Sequence, residues 1–169
     1  LVIKVTKLSS TNLQCFLWPT NNLVLLLLYE AVKSRDVFNY LEKLAELELN
    51  SEIKKPSLMI NDKKIVQDDL NSLLEFEQIE KLLKNIQKRK NIILEIGAGS
   101  GRTAKTIISI SGNIKYVIAD IPPAINLCLG NLKKYFPDKK IITAFEINNH
   151  KDLKMALEKN DILFIFPHQ

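Results

Sequence analysis

Asn91 to Gly101 reads N-I-I-L-E-I-G-A-G-S-G, and the fold of the chain is decided there. Ile92, Ile93, Leu94 and Ile96 form a β-branched, apolar run of strand length. Gly97, Gly99 and Gly101 follow on alternate positions, with Ala98 and Ser100 between them, and Arg102 to Ile110 is a helix-forming run. A buried strand, a glycine turn and a helix start make the anion- and nucleotide-binding corner of a doubly wound α/β fold. Glycine permits positive φ and lets the backbone approach a ligand where a Cβ would collide. The helix start adds N–H groups without intrahelical partners. The spacing is G-x-G-x-G, not the G-x-G-x-x-G of a dinucleotide corner. Glu95, two residues before Gly97 at the strand end, would repel a pyrophosphate and suits a cationic ligand.

Together these residues read E-x-G-x-G-x-G, which resembles motif I of class I S-adenosylmethionine-dependent methyltransferases. The resemblance implies that Gly97, Ala98, Gly99 and Gly101 line the methionine end of S-adenosylmethionine, with Glu95 oriented toward its ammonium. The plain alternative is an ordinary glycine turn between strand and helix. Lys115 to Asp120 (K-Y-V-I-A-D) reads as the next strand and ends in an acid 19 positions after Gly101. An acid at about 20 residues beyond such a loop can hydrogen-bond ribose hydroxyls. Asp120 can equally serve as a turn or helix-capping aspartate ahead of Pro122 and Pro123, and the two roles are compatible.

Downstream of the first strand, Ile92 to Ile96, strand and helix alternate strictly. Arg102 to Ile110 is the first helix, stopped by Ser111-Gly112-Asn113, and Lys115 to Asp120 the second strand. Pro122 and Pro123 open a helix to about Phe136, ended by Pro137. Lys140 to Phe145 is the third strand, Lys151 to Lys159 the third helix, and Asp161 to Phe166 the fourth strand. Such alternation implies an α/β, Rossmann-like parallel sheet with right-handed crossovers. Residues 1–90 read as a mostly helical leader or cap, and residues 91–169 as the nucleotide-binding domain. In the leader, Trp18-Pro19-Thr20 reads as a break, followed by helices over Leu23 to Val32 and Val37 to Leu47. Leu58 to Ile60, Asn61-Asp62 and Ile65-Val66 suggest a short hairpin. Asp68 or Asp69 caps a helix running to about Lys90.

The 169 residues suffice for one ordinary domain, and 46% hydrophobic with 25% charged residues is a globular balance. The net charge of +5 and pI of about 9.1 raise nucleic acid or an anionic membrane as partners. Arginine occurs only as Arg35, Arg89 and Arg102, and the lysines are scattered without interleaved aromatics. A solvated lysine-rich surface is therefore preferred, and Lys88-Arg89-Lys90 reads as a helix end suited to the dipole. Cys15 and Cys128 lack metal or disulfide spacing, so no metal site is expected and a reduced, cytoplasmic setting fits. Leu23 to Tyr29 is too short an apolar stretch to span a bilayer.

A wider resemblance covers about Pro56 to the end. I-L-E-I-G-A-G-S-G-R-T-A, K-Y-V-I-A-D-I-P-P-A, F-P-D-K-K and D-I-L-F-I-F-P-H-Q resemble the sugar O-methyltransferases found among bacterial genes for surface polysaccharide. This resemblance implies methyl transfer from S-adenosylmethionine to a sugar or glycan hydroxyl, on a sheet in which the four strands take the order 3-2-1-4. It implies Asp120 on the ribose, Ile121 on the adenine face and Glu146 at the adenine edge. His168, just past the fourth strand, is a candidate general base; its alternative is a loop or structural histidine. Only four strands are legible, so the chain is expected to be a fragment truncated after strand four. Ile162 to Phe166 is then expected as an apolar sheet edge open to self-association. The competing readings are an RNA or small-molecule methyltransferase, and an inactive cofactor-binding fragment. Phe166-Pro167-His168-Gln169 lacks the Pro-Pro-aromatic tetrad of amino-methylating enzymes, which disfavours base methylation and makes nucleic acid the weaker partner.

Overall fold

The computed structural model describes residues 3–5, 18–36, 39–49, 55, 57–83, 91–111 and 114–168. Cys15, Lys88-Arg89-Lys90 and Gln169 lie outside them. The chain divides into two compact units, Leu1–Glu77 and Gln78–Gln169.

The first unit contains β1 (Ile3–Val5), α1 (Trp18–Lys33), α2 (Tyr40–Leu49), β2 (Ser57–Ile60), β3 (Lys63–Val66) and the start of α3 (Gln67–Leu83). The anticipated hairpin is present, and β1 joins it in an antiparallel β1-β2-β3 sheet. Asn61 and Asp62 both take positive φ (48° and 61°), as a tight two-residue turn from Ile60 to Lys63 demands. Trp18-Pro19 is not a break: α1 begins at Trp18. Pro19 falls in the first turn, where its missing N–H has no intrahelical acceptor to lose. Asp36 starts α2 by accepting the Tyr40 and Leu41 N–H groups at 2.9 and 2.7 Å. Leu44, Leu58, Ile60, Ile65, Leu70 and Phe76 are buried, and Lys55 and Lys64 each stand 3.7 Å from the buried Glu48 carboxylate.

The second unit holds β4 (Asn91–Ile96), α4 (Arg102–Ile110), β5 (Ile114–Ala119), α5 (Ala124–Tyr135), β6 (Ile141–Ile142), α6 (His150–Lys159) and β7 (Ile162–Ile165). The four strands form one all-parallel sheet, compatible with a Rossmann-like fold. Its order is β4-β5-β7-β6. In the numbering of the sequence reading this is 1-2-4-3, not the 3-2-1-4 that the resemblance implied. The fourth strand packs against the second because Tyr116 to Ala119 pair in register with Ile162 to Ile165. Ile162, Leu163 and Phe164 are buried on both faces, as an interior parallel strand requires. The sheet edges are therefore the two-residue β6 and, on the opposite side, β4, not Ile162 to Phe166. Ile92, Leu94 and Ile96 are 63%, 57% and 78% exposed there. The third strand is also shorter than Lys140 to Phe145. Thr143 and Glu146 cap each other and turn residues Ala144–Glu146 into one 3-10 turn.

Crossover handedness distributes the helices. The chain moves from β4 to β5 to β6 in one direction across the sheet, then returns to β7. Right-handed crossovers thus place α4 and α5 on one face and α6 on the other. The Lys105 ammonium of α4 lies 4.9 Å from the Tyr135 ring centroid of α5, on the first face. Val117 and Leu163 pack with Ile147 and Ala156 of the α6 side on the second. No helix among the described residues is long and apolar enough to cross a membrane.

Candidate functional site

The carboxyl ends of β4 and β5 bring the glycine turn and Asp120 together. Gly97, Gly99 and Gly101 all take positive φ (77°, 57° and 81°). The turn is pinned from three sides. The Gly97 N–H donates to the Ala119 carbonyl at 2.9 Å, and the Gly101 N–H donates to the Ala98 carbonyl at 2.9 Å. The Gly99 N–H donates to Asp120 Oδ2 at 2.9 Å. The other carboxylate oxygen of Asp120 accepts the Ile121 N–H at 2.8 Å. Asp120 is buried, and its carboxylate joins the end of β5 to the middle of the turn. Asn131 of α5 closes the outer side by donating to the Ser100 carbonyl at 2.9 Å.

The three glycines differ in what surrounds them. A Cβ on Gly101 would stand 2.7 Å from Cys128 Sγ and 3.5 Å from Leu132 Cγ. Gly101 is required by packing against α5. A Cβ on Gly97 or Gly99 would meet nothing within 4 Å. The space in front of those two backbones is open to a ligand, and Ile121 beside it is exposed. Gly101 is the N-cap of α4 and brings no side-chain cap.

Electrostatically the corner is acidic. Glu95 Oε2 accepts a hydrogen bond from the Tyr116 hydroxyl at 2.9 Å. Tyr116 is 1% exposed, and burial, reinforced by the charge of Glu95, holds its phenol far above the ordinary range. Cys128 lies beneath the turn, and its thiol is pushed up to about 12, first by burial and then by Glu95 and Asp120. The thiol thus lies within electrostatic reach of both carboxylates. Two carboxylates here oppose an anionic pyrophosphate and favour a cation.

Glu95, Gly97, Ala98, Gly99, Gly101, Asp120 and Ile121 are thus assembled in one place. Glu146 and His168 are elsewhere along the edge. Glu146 Oε1 accepts from the Thr143 N–H and hydroxyl at 3.0 and 2.7 Å, and the Thr143 hydroxyl holds its carboxyl below the ordinary range. One oxygen of that carboxylate, Oε1, is thereby engaged in the turn after β6. His168 stacks on Phe166, with ring centroids 5.6 Å apart and an 11° interplanar angle. Both belong to an open cavity of about 590 Å³ past β6 and β7, lined also by Phe145, Asn148, His150 and Leu153. Because β7 pairs with β5 on the side away from β4, Asp120 lies between this cavity and the glycine turn along the edge.

Tyr116, Phe145, Phe166 and His150 carry no functional assignment in the sequence pattern. Tyr116 had a signal: it sits opposite Ile93 in parallel register, so side-chain alternation aims it at the face carrying Glu95. The aromatic cavity had none, since it depends on the strand order. Among the described residues, no group of three or more His, Cys, Asp and Glu side chains is gathered to hold a metal ion. No protein-family model matches the chain, and no curated protein or solved structure matches it significantly.

Proposed function

We propose that the chain binds S-adenosylmethionine at the Glu95 to Gly101 corner and belongs to an enzyme that methylates a hydroxyl, with a sugar as the acceptor class implied by the sequence resemblance. The observation that carries the reading is the open, acidic cradle. Gly97 and Gly99 expose backbone to space that a Cβ would fill, and Glu95 and Asp120 flank it with negative charge. A cationic, nucleoside-bearing ligand fits that combination, and a dinucleotide does not.

When bound, S-adenosylmethionine supplies a methyl group made electrophilic by its sulfonium. The chain's own contribution is positioning. Gly97, Ala98 and Gly99 receive the methionine end, and Glu95 faces its ammonium. Asp120 retains acceptor capacity beyond its two backbone partners, because a carboxylate accepts about four hydrogen bonds, and takes the ribose hydroxyls. The Ile121 side chain, exposed beside Asp120, covers one face of the base. The acceptor occupies the cavity of Phe145, Phe166, His150 and His168, with His168 receiving the hydroxyl proton. Glu146 has no part in this assignment, since β7 separates β6 and the turn after it from Asp120 at the end of β5.

Calorimetric titration with S-adenosylmethionine tests the reading. Wild-type chain is expected to bind, and folded Asp120→Ala to bind at least tenfold more weakly, from loss of hydrogen bonds to a charged acceptor. Equal binding by the two proteins, or no binding by folded wild type, removes the reading.

A further inference from the structure

Tyr116 is fixed in this corner by a contact that neither the glycine spacing nor the resemblance assigns. Parallel register sets Tyr116 against Ile93 and Ile118 against Glu95. Alternation along β4 puts Ile93 and Glu95 on one face, so the phenol must span two residues of strand, about 6.6 Å, to reach the strand end. It does so: its hydroxyl donates to Glu95 Oε2 at 2.9 Å. The ring is 1% exposed and lies on the α5 side beside Cys128, which fixes the direction of that donor. A neutral phenol is the only side chain of this reach that both donates and adds no positive charge. A lysine or arginine here would satisfy Glu95 outright and leave no attraction for an incoming cation.

We infer that Tyr116 is a positioning residue: its hydroxyl holds the Glu95 carboxylate at the mouth of the glycine turn, so that the site selects ligands bearing an ammonium group. The inference rests on the proposed reading of Glu95 and adds the residue that sets its selectivity. Tyr116 touches no ligand. It acts by restricting Glu95, and its burial means that the hydroxyl can be removed without emptying the core.

The test is binding of S-adenosylhomocysteine and of its analogue lacking only the α-amino group. Wild type is expected to prefer the amino-bearing ligand. Tyr116→Phe is expected to lose about tenfold of that preference, because Glu95 is no longer held toward the ammonium, with the desamino analogue bound as before. Glu95→Gln should remove the preference too, and Tyr116→Phe added to it should change nothing further. Folded Tyr116→Phe with the full preference overturns the inference and leaves the methyltransferase reading standing. Wild type that binds neither ligand overturns both. If Tyr116→Phe does not fold, the wild-type Tyr116 hydroxyl proton serves instead. Its resonance should shift with S-adenosylhomocysteine and not with the desamino analogue, and the same response to both overturns the inference.

Discussion

Gly99 and Gly101 share a left-handed backbone and answer to different neighbours. Alanine at Gly101 adds a collision with Cys128 and Leu132 to the strain of positive φ, whereas alanine at Gly97 or Gly99 adds strain alone. Gly101→Ala should lower stability by about 2–4 kcal/mol, the sum of left-handed strain and overpacking. Gly97→Ala and Gly99→Ala should each lose about 1–2 kcal/mol. Urea unfolding of the three variants checks the ranking, and equal losses would contradict the packing role of Gly101. Cys128 carries a pH prediction. Its thiol is raised from 9.0 to about 12 in the folded chain. Above the ordinary thiol range the unfolded chain loses a proton that the folded chain keeps, so stability falls as pH rises from about 9 toward 12. The phenol of Tyr116, also raised, acts in the same direction above its ordinary range. Melting midpoints between pH 8 and about 10.5 should decline in wild type and decline less in Cys128→Ala; parallel slopes would rule the thiol out. The sequence made the positive φ of the glycines legible, because their spacing has few other uses. It could not show that Gly101 meets Cys128, which depends on where α5 packs.

At the scale of elements, α4 begins at Arg102 and ends at Ile110, where the pattern placed it, and α6 starts one residue before its expected position. Local chemistry governs such ends. Asn149 Oδ1 accepts the Lys151 and Asp152 N–H groups at 2.9 and 3.0 Å, a full side-chain cap. Asn149→Ala is expected to cost about 1 kcal/mol, read as a shift of the denaturation midpoint; an unchanged midpoint would deny the cap any energetic role. The β6 segment was overread because Ile141 to Phe145 is apolar, while the reciprocal Thr143–Glu146 cap stops the strand after two residues. The strand order was not legible at all. Both β4 and β7 are short apolar runs, and periodicity cannot say which lies inside the sheet. Pairing leaves β4 at the edge with Ile92, Leu94 and Ile96 exposed. An edge of that kind promotes association with another strand. Sedimentation of the isolated chain should show association that Leu94→Lys reduces, and a monodisperse wild-type monomer would refute it.

For the whole molecule, the parallel sheet of the second unit follows from alternation of strand and helix in the carboxyl-terminal half. The antiparallel sheet of the first unit was only half visible. The Asn61-Asp62 turn announces β2 and β3, whereas β1 pairs with β2 across a sequence separation of more than 50 residues. The candidate site divides in the same way. Residues adjacent in sequence or joined by one strand pairing, Glu95 to Gly101 and Asp120, were legible together. His168 was not, because its neighbours follow from the placement of β7 beside β5. The net charge of +5 is spread over scattered lysines, while the corner itself is acidic, so global charge and local site have opposite signs. The central claim is that this acidic glycine corner receives S-adenosylmethionine. The five glycines of the chain, Gly97, Gly99, Gly101, Gly112 and Gly130, make glycine-selective ¹⁵N labelling a direct reporter. Titration with S-adenosylmethionine should shift the amide resonances of Gly97 and Gly99 most, saturably, and leave Gly130 on α5 in place. No shift at Gly97 and Gly99, or equal shifts at all five glycines, would contradict the account.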